Sequence, residues 1–176
     1  MKTEYETKVL EIDVNLFKEK LNKLGAKYVG RFEQKRYTYN IVPQTKDKWI
    51  RLRTDGVKTT LCFKSILNDG IGGTNEIEFE VPNFEQTHEF LLSIGIPHKQ
   101  YQENVRTQYI LDGIEIDIDE WPMLPPYAEI EGKNETEVLE TIQKLDFDKT
   151  KCTSINTQGV YSMYGIDLES ISDLRF

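Results

Sequence analysis

The sequence predicts an α+β fold in which amphipathic helices cover the outside of a curved sheet or closed β-barrel. Strand after strand carries apolar residues on one face and charged residues on the other. Three helical segments each carry an apolar stripe, and such a stripe needs a sheet face to cover. A strand–helix–strand-pair arrangement recurs about 70 residues apart, which indicates two related halves of one barrel. If the helices lie outside, the charged faces turn inward and line a lumen.

The elements of the first half follow in order from the N-terminus. The first strand contains EYETK, where Glu4, Glu6 and Lys8 share one face because side chains alternate along a strand. Asp13 is the predicted N-cap of a helix whose apolar residues recur at helical spacing until Gly25. Three strands follow: residues 28–41, the segment WIRLRT and the segment KTTLCFK, the last two joined by a turn at Asp55-Gly56.

The second half repeats this order after the glycine-rich segment LNDGIGGTN. That segment lacks the GxxxxGK[ST] pattern of a phosphate-binding loop, so we interpret it as a hairpin loop. EIEFEV predicts a strand, and Asn83 caps a second helix that ends at Gly95. The prolines of WPMLPPY exclude regular structure there, because proline cannot donate to a sheet ladder. The remaining predictions are strands at 100–111 and 114–120, a short strand AEIEG, a third helix capped by Asn134, and a tail helix at 156–164.

The composition excludes several classes of protein. The net charge of -8 argues against a general nucleic-acid binder, because phosphate contacts need a surplus of Lys and Arg. No apolar run approaches the ~20 residues that span a bilayer, and the charged N-terminus has no signal-peptide h-region. We therefore expect a cytoplasmic protein without nucleic-acid or membrane partners, in which Cys62 and Cys152 are reduced thiols. The length of 176 residues favours a single domain over residues 1–176.

The charged faces are dense and contain both signs of charge. Acidic residues stand at neighbouring positions on one face, which is unfavourable unless something positive lies between them. Mg²⁺ and Mn²⁺ prefer oxygen ligands, and Arg and Lys bind phosphate. The pattern therefore fits a lumen that holds a divalent cation and a polyanion, but an ordinary sheet with one solvated face fits it equally well. On the first interpretation the inward residues are Glu4, Glu6, Lys8, Arg51, Arg53, Lys64, Glu76, Glu78, Glu80, Glu115, Asp117, Asp119, Glu129 and Glu131.

The order of these motifs resembles the CYTH domain, the family of triphosphate tunnel metalloenzymes. EYETK fits the family's ExExK signature, and the later motifs follow in the family's order over most of the chain, up to about residue 132. They are RLR at 51–53, FK ending at Lys64, EIEFE at 76–80, RTQY at 106–109, DIDEW at 117–121 and EIEG at 129–132. The resemblance implies an eight-stranded antiparallel β-barrel, a triphosphate tunnel whose lumen holds Mg²⁺ or Mn²⁺ and a small-molecule triphosphate.

The resemblance also assigns roles to residues. The catalytic residues would be Glu4, Glu6 and Lys8, with Lys8 contacting phosphate or positioning the attacking water. The implied metal ligands are Glu4, Glu6, Glu129 and Glu131, with Asp117 and Asp119 as further candidates. The implied phosphate-binding residues are Lys8, Arg51, Arg53, Lys64 and Arg106. Two supporting acids, Glu78 and Glu80, would bind metal or orient the basic residues.

Three positions depart from the family pattern. Asn104 stands where the family usually has the lysine of Lys-x-Arg, which removes one phosphate contact. Lys35 stands two residues before Tyr37, where family members often carry an acid, and we expect Lys35 to supply a phosphate contact in compensation. The segment Leu124-Pro125-Pro126 replaces the usual Leu-Gly turn and predicts different access to that side of the lumen.

Three functions share such a metal and phosphate site. The favoured function is a metal-dependent triphosphatase acting on inorganic triphosphate, thiamine triphosphate or ATP. The alternatives are a class IV adenylyl cyclase and a non-catalytic module that binds a triphosphate or nucleotide. A cyclase needs a nucleobase pocket, for which Tyr37, Tyr39, Trp121 and Tyr127 are candidates, although packing against the strands explains each of them better. The sequence leaves open the physiological substrate and whether the chain is a monomer or a homodimer.

Overall fold

The computed structural model describes residues 1–176 and contains a closed barrel of eight antiparallel strands. The strands are β1 (Lys2–Val9), β2 (Lys27–Asn40), β3 (Lys48–Thr54), β4 (Thr59–Ile66), β5 (Thr74–Glu80), β6 (His98–Leu111), β7 (Ile114–Glu120) and β8 (Tyr127–Gly132). Their order is β6-β2-β3-β4-β5-β1-β8-β7, and β7 pairs with β6 to close the ring. The predicted α+β class and eight-stranded antiparallel barrel are confirmed.

The barrel has two halves with the same order of elements. Strand β1, helix α1 (Val14–Lys23) and strands β2 to β4 form the first half. Strand β5, helix α2 (Phe84–Ser93) and strands β6 to β8 form the second. Each strand of the first half has a counterpart in the second: β1 corresponds to β5, β2 to β6, β3 to β7 and β4 to β8. Two strands that are neighbours in the ring have counterparts that are also neighbours. The topology therefore has the two related halves that the sequence predicts.

Helices α1, α2 and α3 (Glu135–Lys144) pack against the outside of the barrel. Each begins at its predicted cap, because the side chains of Asp13, Asn83 and Asn134 accept hydrogen bonds from backbone N–H groups of the first turn. The apolar stripes are narrower than predicted, since three of their residues, Leu16, Phe90 and Leu139, are exposed. The residues buried beneath α1 and α3 include Phe17, Leu21, Ile116, Ile118, Ile130, Val138 and Ile142.

A smaller apolar cluster lies under α2. It consists of Tyr39 from β2, Leu52 from β3, and Phe84 and Leu91 from the helix. Burying a side chain of this size contributes about 1.5–3 kcal/mol. The apolar faces of the strands therefore turn outward toward the helices, and the charged faces are left for the lumen.

The chain after β8 and α3 returns to the barrel and packs against it. The two-residue strand β9 (Cys152–Thr153) pairs with β1, and β10 (Asp173–Leu174) pairs in parallel with β6. The predicted tail helix is present as α4 (Thr157–Met163), with Val160 and Tyr161 buried against Trp121 and Tyr127. None of the four α-helices is long and apolar enough to cross a membrane.

Candidate active site in the lumen

The strand period of two residues places the charged face of each strand inside the barrel. Glu4 and Lys8 of β1 are almost completely buried, and so are Asp117 and Asp119 of β7. Register then brings residues of neighbouring strands together, so that Glu6 stands opposite Glu131 and Lys8 opposite Glu129. Charges that are far apart in the sequence therefore meet in one lumen.

The lumen contains a cavity of about 210 Å³. It extends from the buried charges of β1 to exposed residues of the β2–β3 connection, such as Lys46, and of the tail, such as Gln158. Only 5 of its 29 lining residues are hydrophobic. A cavity of this composition suits a small, highly charged ligand better than an apolar one.

Two lysines of the first half hold carboxylates of both halves. Lys64 Nζ lies 2.6 and 2.7 Å from the two carboxylate oxygens of Glu4, and 3.7 Å from Glu76 Oε2. Lys8 Nζ lies 2.9 Å from Glu6 Oε1 and 3.6 Å from Glu129 Oε1. Burial alone would lower the pKa of Lys8, but Glu129 and Glu6 raise it above its usual value. Lys8 therefore remains an ammonium group.

The arginines of β3 share one acid. Arg51 Nη2 lies 2.9 Å from Glu78 Oε2, and Arg53 Nη2 lies 3.7 Å from the same oxygen. Burial opposes ionisation of Glu78, but Arg51 and Arg53 hold its pKa below the usual value. Repulsion by Arg51, with burial, lowers the pKa of Arg53 to about 10. This wall of the lumen thus has more positive charge than its own acid neutralises.

Arg106 of β6 is surrounded by acids of the second half. Its guanidinium lies 2.7 Å from Asp117 Oδ2, 2.7 Å from Asp119 Oδ2 and 2.8 Å from Glu129 Oε2. Burial raises the pKa of Asp117 to about 8, although Arg106 opposes this shift. Asp117, Asp119 and Glu129 are thus all partners of Arg106 in this structure.

The glutamates of β1 and β8 have the chemistry of a divalent-metal site. Glu4, Glu6 and Glu129 line the cavity, and Glu131 stands opposite Glu6 on the neighbouring strand. Burial and the neighbouring charge of Glu129 raise the pKa of Glu6 to about 7. Such crowding of carboxylates is relieved by a hard cation, and oxygen ligands suit Mg²⁺ or Mn²⁺. The residues present therefore fit such a metal.

A second group of donors lies on the wall formed by β4 and β5. The ligand atoms of Cys62, Glu76 and Glu78 all lie within 4.8 Å of one another. Burial raises the pKa of the Cys62 thiol to about 12, so the thiol is neutral at physiological pH. The sequence placed Glu76 on the charged face without a role. Because its carboxylate lies beside Glu78 and 3.7 Å from Lys64 Nζ, Glu76 is a further acid of the site.

Lys35 is not in the lumen, and the prediction that it binds phosphate is corrected. Its Nζ lies 3.3 Å from Glu85 Oε1 and 4.9 Å from the centre of the Phe84 ring, under α2 on the outer face. Two predicted acids lie at the ends of their strands. Glu80 pairs with Lys58 at 2.8 Å and is mostly exposed, and Glu131 pairs with Lys2 at 3.0 Å.

Arg36 is the lumen cation that sequence reasoning missed. It precedes Tyr37 on β2, it is 7% exposed, and it lines the cavity. The signal was available, because Tyr37 and Tyr39 are aromatic and belong on the apolar face. Alternation then places Gln34, Arg36 and Thr38 on the inner face.

Of the four aromatic residues considered for a nucleobase pocket, Tyr37 packs outside the barrel, and the other three line the cavity but are almost completely buried. Tyr37 stacks on His88 with ring centroids 3.8 Å apart, and the hydroxyl oxygen of Tyr39 lies 2.8 Å from His88 Nδ1. Trp121 and Tyr127 line the cavity, but both are almost completely buried in the cluster beneath α4. A different aromatic residue, Trp49 on β3, is half-buried and also lines the cavity.

The fold and the site together define a closed β-barrel whose lumen is lined by acidic and basic side chains. The family model of the CYTH domain matches residues 2–154. The chain therefore belongs to the CYTH family, as the order of its motifs predicts. A comparison with curated proteins finds no match.

Solved structures share the fold at low sequence identity. Protein PH1012 of Pyrococcus horikoshii OT3 is 22% identical, with a TM-score of 0.76 over 87% of this chain and 96% of that chain. A candidate adenylate cyclase of Vibrio parahaemolyticus is 11% identical, with a TM-score of 0.77 over 92% of this chain and 98% of that chain. HpAC1 of Hippeastrum, a candidate adenylyl cyclase with a dominant triphosphatase activity, is 13% identical, with a TM-score of 0.61 over 94% and 97% of the two chains. These likenesses show the fold alone.

Proposed function

We propose that this protein is a divalent-metal-dependent triphosphatase that hydrolyses a small-molecule triphosphate in the barrel lumen. The observation that carries the proposal is the convergence of two sets of charges on one cavity. Lys8, Arg51, Lys64 and Arg106 line it, together with Glu4, Glu6 and Glu129. A triphosphate is a compact polyanion that needs several cations, and basic side chains bind its oxygens through charge-assisted hydrogen bonds.

The ion pairs of the lumen would exchange partners when ligands bind. Triphosphate oxygens would take the place of Glu4 at Lys64 and of Glu78 at Arg51. The released carboxylates would then be available to a metal. The proposed metal ligands are Glu4, Glu6, Glu129 and Glu131. A divalent ion bound there would neutralise charge on phosphate oxygens. The two ligands therefore support each other's binding.

In the proposed reaction, a water oxygen forms a bond to the terminal phosphorus and the bridging P–O bond breaks. Orthophosphate and the remaining diphosphate-containing product leave. Lys8 would donate to the terminal phosphoryl group or help position the attacking water, and its ion pairs with Glu6 and Glu129 support this role because they hold its ammonium group in the lumen. Arg51, Lys64 and Arg106 would stabilise the charge that develops on the phosphate oxygens.

Hydrolysis is favoured over cyclisation by where the aromatic residues lie. A cyclase must hold adenosine so that its 3′-hydroxyl attacks the α-phosphate. Tyr37, one of the residues considered for that pocket, stacks on Phe84 of α2 outside the barrel. Tyr39, Trp121 and Tyr127 line the cavity but are almost completely buried, so they offer little face to a base. One observation supports the cyclase as a second candidate, since Trp49 lines the cavity beside exposed residues and offers a face for a base.

Product analysis of the purified protein tests this proposal. The substrates are inorganic triphosphate, thiamine triphosphate and ATP, each with Mg²⁺ and then with Mn²⁺. We expect orthophosphate from at least one substrate, and no cyclic AMP from ATP. Cyclic AMP with pyrophosphate would establish the cyclase instead, and Trp49→Ala should then abolish turnover of ATP. Binding of triphosphate without turnover of any substrate would contradict both enzymes and leave a binding module.

A further inference from the structure

Arg36 differs from the other buried and half-buried lumen cations because it makes no ion pair. Its Nη2 donates to Gln34 Oε1 at 3.0 Å and to Asn104 Oδ1, both neutral amide oxygens. Its guanidinium carbon lies 4.6 Å from the centre of the Trp121 ring. A buried charge without a counter-charge is costly. The other lumen cations, Lys8, Arg51, Arg53, Lys64 and Arg106, each hold a carboxylate.

The surroundings of Arg36 are strongly positive. Arg36 of β2 stands directly opposite Arg53 of β3, and Thr38 stands opposite Arg51. Like charges at directly opposed positions destabilise a sheet unless something of opposite charge lies between them. Burial and repulsion by Arg51, Arg53 and Arg106 hold the pKa of Arg36 well below its usual range. Asp119 opposes this shift but is itself held by Arg106, so positive charge exceeds negative charge in this part of the lumen.

The same region contains hydrogen-bond donors without acceptors. Arg36 Nε, Thr38 Oγ1, Arg51 Nε and Trp121 Nε1 are buried and have no partner. All four residues line the cavity. Nearly all buried polar groups in proteins are hydrogen-bonded, so a group of unpaired donors indicates a ligand with several acceptor oxygens. An anion would supply both the missing acceptors and the missing charge.

We propose that Arg36, together with Thr38 and Arg51, forms a subsite that binds one phosphoryl group of the triphosphate. The inference deepens the proposed function and rests on it for the substrate class. A guanidinium presents two parallel donors that match two phosphate oxygens. Asn104 positions Arg36 through its side-chain oxygen and, being neutral, leaves the positive charge free for the ligand. Arg36, positioned by Asn104, thus supplies the phosphate contact that is lost because Asn104 stands at the position of the family's lysine.

The test compares Arg36→Met with Arg31→Met. Arg31 lies on the same strand but is exposed and pairs with Glu33, so it controls for loss of an arginine. Inorganic triphosphate is titrated into each protein in a calorimeter with EDTA present, and the melting temperature of each ligand-free protein is measured. We expect Arg36→Met to weaken binding by about 10- to 100-fold. Its melting temperature should stay unchanged or rise, because an unpaired buried charge has been removed.

Each result decides the inference. Wild-type affinity in Arg36→Met would overturn it, and so would weaker binding accompanied by a lower melting temperature, since Arg36 would then be a structural residue. If Arg36→Met does not fold, Arg36→Lys retains the charge but not the paired donors, and wild-type affinity in that variant would overturn the inference. A wild-type protein that binds triphosphate without hydrolysing it contradicts only the proposed function. A wild-type protein that binds no triphosphate, either with EDTA or with Mg²⁺ present, contradicts both.

Discussion

The two halves of the barrel share one backbone plan but carry opposite charge into the lumen. The first half, β1 to β4, contributes Lys8, Arg36, Arg51, Arg53 and Lys64 against two acids, Glu4 and Glu6. The second half, β5 to β8, contributes one cation, Arg106, and most of the acids. Those acids are Glu76, Glu78, Glu115, Asp117, Asp119, Glu129 and Glu131.

Corresponding strands show the difference position by position. The pattern Glu-x-Glu-x-Lys of β1 becomes Glu-x-Glu-x-Glu in β5, and the two arginines of β3 correspond to the two aspartates of β7. The topology thus fixes where inward side chains stand, and the charges on those side chains set what each half binds. On this account the first half binds most of the phosphate, and acids from both halves neutralise cations or hold the metal.

Removing the single cation of the second half should have the largest effect on stability. Arg106→Met leaves Asp117, Asp119 and Glu129 without their shared partner, and breaking a buried ion pair in this way costs about 3–5 kcal/mol. Urea unfolding followed by circular dichroism measures this loss. Arg31→Met, an exposed control, should change stability by less than about 1 kcal/mol. An Arg106→Met protein as stable as the wild type would show that the acids do not depend on Arg106.

Lys35 and Lys64 lie on the two strands that flank β3, but they should differ in their effect on triphosphate binding. Lys64→Met removes an inward cation of the first half and should weaken triphosphate binding by about 10- to 100-fold, measured by calorimetry. Lys35→Met removes an outward cation and should leave the affinity unchanged. Equal losses in the two variants would contradict the assignment of inner and outer faces.

The smallest expected effect concerns the outer face. Burial and His98 lower the pKa of His88 below its ordinary value of 6.5, with Glu85 and Glu89 opposing the shift. The unfolded chain then takes up a proton more readily than the folded protein. The stability that neutral His88 provides is present above pH 6.5 and is lost as the pH falls through the lowered pKa. Unfolding curves of wild type and His88→Gln should therefore diverge below pH 6.5, and parallel pH profiles would contradict this.

Alternation along the strands predicted much of the fold and of the site. The charged positions of β1, β3, β5, β7 and β8 could be read directly, because each alternates strictly with apolar residues. The closed eight-stranded ring and the roles of single residues came from the resemblance to CYTH domains, since periodicity does not determine how many strands close a barrel.

The misjudged residues lie where the alternation is weak. The family pattern suggested Lys35 as a phosphate contact, and on β2 the segment QKRYTYN carries polar residues on both faces, so alternation alone did not point to Arg36 instead. The packing predicted for Trp121 could not be given a partner from the sequence, because the tail helix α4 lies about 40 residues away and contacts between distant segments leave no local signal.

The most direct measurement is the rate of orthophosphate release from inorganic triphosphate with Mg²⁺. The variant Glu4→Gln/Glu6→Gln removes two inward carboxylates, and Glu19→Gln/Glu140→Gln, exposed on α1 and α3, is its matched control. The account predicts hydrolysis by the wild type and the control, and a loss of about 100-fold or more in the lumen variant. An equal rate in the lumen variant and the control would contradict the claim that the lumen is the active site.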